Sequence, residues 1–141
     1  MDLKDSLKLE RYKLVTERQK YFTDLAREAA GTYLKFLSAL VAAAITVVST
    51  SNKLDLDRRT VTFVITSIAS LITFLAFATA GQVAFCLWRW QGFRRAEAKI
   101  NPDCPSPDKA WWIFETIYIV VIGVSVAMAW LMAFKLPNVV R

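Results

Sequence analysis

The chain has 141 residues, a formal net charge of +6, no histidine and only two cysteines, and 55% of its residues are hydrophobic. That apolar content and the mean hydropathy of +0.35 exceed what a soluble domain usually carries. The missing histidines and the absence of any CxxC spacing argue against a zinc site, and four scattered glycines exclude a glycine-rich nucleotide loop. We therefore predict no enzyme, no catalytic residue, no cofactor and no metal.

Residues 1–30 predict a cytoplasmic amphipathic helix. Its apolar face consists of Leu3, Leu7, Leu14, Tyr21 and Leu25, widened by Val15 and Phe22. Three roles stay open: the helix lies on the inner leaflet, pairs with copies of itself, or docks on another protein. Arg11 and Arg18 interrupt the apolar face, which weakens the coiled-coil alternative. Since only Gly31 could break the helix before residue 49, we expect it to continue into the following apolar stretch as one rod.

Three apolar stretches follow, at about 33–51, 61–88 and 110–134, and a bilayer span needs about 20 such residues. They predict an all-α integral membrane protein whose three-helix transmembrane domain occupies 31–136, followed by a tail at 137–141. The second stretch has 28 consecutive uncharged residues, so it should tilt or project beyond the hydrocarbon core. Either Asp55 or Asp57 is expected to cap its N-terminus.

Residues 89–108 predict a short helix on the membrane surface and then a proline-rich loop. Trp88 and Trp90 lie where the second span ends, and Trp111 and Trp112 lie where the third begins, as in an interfacial aromatic belt, with Arg94 and Arg95 between them as basic headgroup contacts. The predicted interfacial residues are Trp88, Trp90, Trp111, Trp112, Arg94 and Arg95.

The distribution of basic residues predicts the orientation. With three spans, the N-terminal segment and the second loop share one side and carry 13 Lys and Arg, against 5 on the other side. The positive-inside rule then places the N-terminus in the cytoplasm and the C-terminus outside, in a multi-pass protein of a bacterial inner membrane. The same charge in a soluble protein would suggest nucleic acid, but no recognition module is present, so no nucleic-acid partner is expected.

Two charged residues near the inner ends of the spans need an explanation. Glu115 lies about a turn inside the third span, and Lys35 lies at a similar depth on the first. A carboxylate there is costly unless it is paired, protonated or in contact with water. The alternatives are a structural Lys35–Glu115 pair, a Glu115–Arg89 pair, or a place for Glu115 in the wall of an aqueous vestibule.

The second span carries a stripe of small and hydroxylated residues: Thr62, Thr66, Ser70, Thr73, Ala76, Ala80 and Ala84. Such residues let helices approach closely, which favours plain helix packing, and the alternative is the lining of a pore. Gln82 near the inner end suits either role. Gly123 and Ala127 form a similar small pair on the third span.

A charged helix over 9–30 that continues into two closely linked spans resembles the SLATT-type small membrane modules of bacteria. The residues that carry the resemblance are Arg18, Gln19, Lys20, Tyr21 and Phe22, together with the short link at 51–59. The resemblance implies a membrane-perturbing effector or sensor in bacterial defence. It covers at most about 90 residues, and the third span departs from it because that family tends to end in a long helix outside the membrane.

The first functional hypothesis is a non-enzymatic, homo-oligomeric inner-membrane protein that forms a pore or perturbs the membrane. Three helices with small-residue faces bury little on their own, which favours self-association within the lipid bilayer. The alternative is an accessory or scaffolding subunit of a larger membrane complex, bound to its protein partner through residues 1–30.

Overall fold

In the computed structural model, the chain forms three helices: α1 (Leu3–Ser51), α2 (Arg58–Ile100) and α3 (Trp111–Lys135). The structure describes residues 3–51, 53, 56–100 and 111–135, with side chains from residue 6 in α1 and from residue 116 in α3. The all-α prediction is confirmed for these residues, and each helix is long and apolar enough to cross a membrane. The predicted tail and the proline-rich loop lie outside the described residues.

The first helix is continuous from the charged N-terminal segment into the first apolar stretch. Its 49 residues include no proline, and at 1.5 Å per residue it is about 73 Å long. Gly31 lies within it and does not end it. The expectation of a single rod is confirmed, so the boundary between residues 30 and 31 is a change of composition and not of secondary structure.

A tight turn reverses the chain between α1 and α2. The backbone N–H of Leu56 donates to the carbonyl of Ser51 at 3.0 Å, and the Val61 N–H donates to the Asp57 carbonyl at 3.1 Å. Since that second bond is the first i→i−4 bond of α2, Asp57 occupies the capping position, one of the two predicted. The turn makes α1 and α2 antiparallel neighbours.

The face that α2 buries follows a seven-residue repeat. Its members are Ala69, Ala76, Val83, Trp90 and Glu97, all buried. A seven-residue repeat keeps the buried face turned toward one neighbour along the whole length of a helix. The α1–α2 pair therefore packs like an antiparallel coiled coil, with one carboxylate in its seam.

The three helices meet in two clusters of small and branched side chains. Ala44 of α1, Ile65 and Ala69 of α2 and Ala133 of α3 form the core of the first cluster. The second contains Tyr33, Ala76 and Ile122, one residue from each helix. The alanines allow close approach of the helix backbones, which is the main source of packing energy between apolar helices in lipid. We call this part the three-helix region.

Beyond the three-helix region, α1 and α2 continue side by side. We call residues 6–30 of α1 and 83–100 of α2 the paired extension. Residues 89–100 are not a separate surface helix, as the sequence had suggested, because α2 runs unbroken to Ile100. Contacts from Gln19 and Phe22 of α1 hold this segment against α1.

The face of α1 that contacts α2 is not the predicted apolar face. Val15 and Phe22, which the sequence placed at the edge, are buried. Leu7, Leu14 and Tyr21, which the sequence placed at the centre, are 52%, 55% and 55% exposed. The aromatic and polar residues of α2 select the Val15–Phe22 side, and the predicted face remains uncovered in a single copy.

Candidate functional site

A buried carboxylate holds the two helices of the paired extension in register. Glu97 of α2 is only 5% exposed. Its Oε2 accepts a hydrogen bond from Gln19 Nε2 of α1 at 2.7 Å and another from Arg94 NH1 at 2.9 Å. A buried charge is tolerated when it is paired and hydrogen-bonded. Because Gln19 and Glu97 meet in only one alignment of the helices, this contact specifies the register of the pair.

Arg94 and Trp90 belong to the same polar layer. The Arg94 guanidinium lies 5.5 Å from the centre of the Trp90 ring while it pairs with Glu97. Trp90 is buried and Arg94 is half-buried between the helices. Trp90 and Arg94 therefore have their contacts within the seam of the helix pair, and the interfacial role of the two residues stays a prediction.

Aromatic rings and one arginine form the next layer toward the three-helix region. Phe22 of α1 stacks on Phe93 of α2, with ring centres 5.8 Å apart and an interplanar angle of 24°. The Phe85 and Phe22 rings are arranged edge to face, with their centres 6.4 Å apart. The Arg89 guanidinium lies 5.9 Å from the Phe22 ring and 5.8 Å from the Phe93 ring. Two cation–π contacts hold this arginine at the surface of the pair.

The outer surface of α2 beside this layer forms a shallow groove. Trp88, Arg89, Gly92, Phe93 and Arg95 line it, with Gln91 and Ala96. Trp88 is 69% exposed, and both arginines are exposed as well. A Cβ added to Gly92 would meet nothing within 4 Å, so the floor of the groove is open. Trp88 and Arg95, unlike Trp90 and Arg94, do lie on the outside of the helix pair.

The predicted hydroxyl stripe of α2 divides between packing and exposure. Thr73 accepts a hydrogen bond from Trp130 Nε1 of α3 at 3.1 Å and donates to the Ala69 carbonyl at 2.8 Å. Thr66 is half-buried, whereas Thr62 and Ser70 are exposed. Gln82 is exposed as well, at a groove between α1 and α2 that includes Glu28 and Thr79.

The remaining predicted residues are the charged residues Lys35 and Glu115, the tryptophans before α3, and the small pair of Gly123 and Ala127. Lys35 is exposed on α1. Glu115, Trp111 and Trp112 lie outside the residues whose side chains the structure describes, so the Lys35–Glu115 and Glu115–Arg89 pairs stay predictions. Gly123 and Ala127 are exposed and take no part in the helix contacts of a single copy. Among the described residues, no group of three or more His, Cys, Asp or Glu is arranged to hold a metal ion.

Sequence reasoning missed the contact between Tyr33 of α1 and Ser125 of α3, whose hydroxyls are hydrogen-bonded. It also missed the Gln19–Glu97 pair, which joins residues 78 positions apart. No spacing rule connects such distant residues. The one available signal was the position of Glu97 in the seven-residue repeat of α2, where a polar residue marks a register contact.

Comparison with known proteins adds no relative: no protein family, no curated protein and no solved structure matches this chain.

Proposed function

We propose that this protein is a non-enzymatic, three-span membrane protein that acts as a homo-oligomer and opens or perturbs the membrane. The apolar parts of α1, α2 and α3 cross the bilayer, and the paired extension projects into the cytoplasm. Large side chains on the outer face of α2, such as Phe63, Phe74 and Phe77, are mostly exposed in one copy and suit contact with lipid tails. The excess of basic residues on the side of the N-terminus supports this orientation.

The observation that carries the proposal is an uncovered apolar line on the paired extension. Leu7, Leu14 and Tyr21 are seven residues apart and more than half exposed. Unlike the exposed residues of the spans, Leu7 and Leu14 lie beyond the bilayer, and Tyr21 lies at the level of its cytoplasmic surface, beside the Phe22–Phe93 stack. A line of large apolar residues at heptad spacing is typical of a helix that packs on another helix. We name it the heptad line.

Charges beside the heptad line favour a second copy of the same chain as its partner. Glu10 and Glu17 follow the leucines by three residues, which places them about 60° to one side. Arg11 and Arg18 follow by four residues, about 40° to the other side. All four side chains are exposed.

The bilayer keeps every copy parallel and at the same depth. The basic edge of one copy therefore meets the acidic edge of the next at matching heights. A head-to-tail contact of this kind generates a ring when the rotation closes.

In such a ring, assembly of the extensions would bring the spans of neighbouring copies together. The exposed hydroxyls of Thr62 and Ser70 would then contact water or a neighbouring helix. If an ion pathway forms between the copies, these two residues are the first candidates for its lining. The resemblance to SLATT-type modules points to the same kind of activity, an effector in bacterial defence.

The test measures mass and leakage together. Native mass spectrometry of the purified protein should show closed assemblies of several copies. Leu14→Glu should shift them to monomer, because it places a charge on the heptad line, and wild type in the same detergent is the reference. Charge reversal of Arg11 and Arg18 should weaken assembly, and reversing Glu10 and Glu17 in the same chain should restore it.

In liposomes, the assembled wild-type protein should release a trapped dye or carry an ion flux, and Leu14→Glu should not. Ser70→Leu should change the ion flux without changing the number of copies in the assembly. A folded wild-type monomer that needs another protein for stability would support the accessory-subunit alternative. If the protein forms assemblies that never release dye or ions under any trigger, the homo-oligomer is supported and the pore is refuted.

A further inference from the structure

We propose that the groove around Gly92 on α2 binds the phosphate of an anionic phospholipid headgroup in the cytoplasmic leaflet. The groove has the three parts that such a site needs: a pair of cations, an open floor between them and an aromatic side chain at the level of the membrane interface. This inference uses the membrane orientation proposed above, but it does not depend on the number of copies.

The two cations flank the glycine on the same side of the helix. Arg89 precedes Gly92 by three residues and Arg95 follows it by three. At 100° per residue, the arginines lie about 60° to either side of the glycine. Both are exposed, and Gly92 contributes no side chain to the space between them. A phosphate can therefore approach the helix surface and accept hydrogen bonds from two guanidinium groups.

The groove lies at the height of the headgroups. Gly92 is 31 residues beyond Val61, about 46 Å along the helix, while the hydrocarbon core is about 30 Å thick and the bilayer with its headgroups about 40–45 Å. Tilt of a long helix brings the groove closer to the bilayer. In addition, Cα–Cβ bonds point toward the N-terminus of a helix, and the N-terminal part of α2 is the membrane span. The Cα–Cβ bonds of both arginines thus point toward the bilayer, while the Arg89 guanidinium rests against Phe93, one turn farther along α2.

Arg89 is positioned before any lipid arrives. Its guanidinium already lies against the Phe22 and Phe93 rings, so less side-chain entropy is lost when it binds. Trp88 is exposed one residue earlier and suits the interfacial layer. Because Phe22 belongs to α1, a lipid held by Arg89 would contact the helix pair and not α2 alone.

The experiment measures lipid retention in native mass spectrometry and binding to nanodiscs. Wild-type protein should retain phosphatidylglycerol in preference to phosphatidylcholine. The double variant Arg89→Gln and Arg95→Gln should bind phosphatidylglycerol about tenfold more weakly, which corresponds to about 1.4 kcal/mol. The matched control is Lys13→Gln with Lys20→Gln, which removes two exposed positive charges from the same extension and should change binding by less than about twofold.

Gly92→Leu tests the groove without changing charge. The open space at Gly92 accommodates the side chain, and leucine is the better helix former, so the fold should persist by circular dichroism. We expect weaker lipid binding because the floor is filled. If the arginine double variant and the lysine double variant lose lipid binding equally, net charge alone explains the binding, and the site is overturned. Full binding by Gly92→Leu would also overturn it. Inorganic phosphate that displaces the lipid at equal concentration would show an anion site with no preference for lipid.

Discussion

The polar layer at Glu97 shows how one buried charge is accommodated between two helices. Its carboxylate has a cationic partner on the same helix and an amide donor on the other. The two partners are not equivalent, because Arg94 balances the charge whereas Gln19 joins the helices. Removal of a cation from a buried pair leaves an uncompensated charge, while replacement of the carboxylate by an apolar side chain removes the desolvation cost as well.

We therefore expect Arg94→Leu to destabilise the protein more than Glu97→Leu does. Arg94→Leu should lower the free energy of unfolding by about 1–3 kcal/mol, a range kept below that of fully buried pairs because Arg94 is partly exposed. Glu97→Leu continues the apolar repeat of α2 and should cost less than about 1 kcal/mol. Thermal unfolding in detergent, followed by circular dichroism, measures both. The order would be reversed if the Gln19–Glu97 bond mattered more than the buried charge.

Among the individual helices, α1 is notable for its length. A 49-residue helix without proline connects the water-exposed extension to the three-helix region. Gly31 is its weakest position, since glycine is about 1 kcal/mol less favourable than alanine within a helix. Packing of Ala30 and Tyr33, which are buried on either side of Gly31, compensates for this and keeps the helix continuous. One continuous helix thus joins the extension to the three-helix region.

Continuity of α1 can be measured with two spin labels. In a background without native cysteines, labels at Lys13→Cys and Thr46→Cys occupy exposed positions 33 residues apart. A continuous helix predicts a distance of about 50 Å by pulsed electron paramagnetic resonance. Gly31→Pro should shorten or broaden the distance, since proline breaks a helix interior, and Gly31→Ala should leave it unchanged. A short, broad distribution in wild type would show that α1 bends at Gly31.

The whole chain has two parts that differ in the type of contact between their helices. The three-helix region joins its helices through alanines and a few hydroxyls, including the Trp130–Thr73 hydrogen bond, which suits an apolar environment. The paired extension uses an ion pair, cation–π contacts and stacked rings, which suit the membrane surface and water. The change between the two types of contact occurs near Tyr33 of α1 and Val83 of α2.

This division predicts which positions face the cytoplasm. Lys20→Cys, in the paired extension, should resist a membrane-impermeant maleimide in intact cells and react after the membrane is permeabilised. Lys53→Cys, in the exposed turn between α1 and α2, should react in intact cells. The reverse pattern would place the N-terminus outside, and labelling of both positions in intact cells would contradict the insertion of α1 as a span.

Composition and periodicity were sufficient to predict three helices, the continuity of α1 and two candidate capping residues, of which the structure selects Asp57, because each depends on neighbouring residues along the chain. They were not sufficient to choose the face of α1 that is buried. The Leu7–Leu14–Tyr21 side has the stronger apolar pattern, yet the contact forms through Val15, Gln19 and Phe22.

The choice depends on partners about 60 to 80 residues away, the rings of Phe85 and Phe93 and the carboxylate of Glu97. Hydrophobic free energy is non-directional and gives no preference between two apolar sides of a helix, whereas stacked rings and a buried carboxylate require specific geometry. Those directional contacts exist only once α2 has folded back along α1. They bury one side of α1 and leave the other side, the heptad line, exposed.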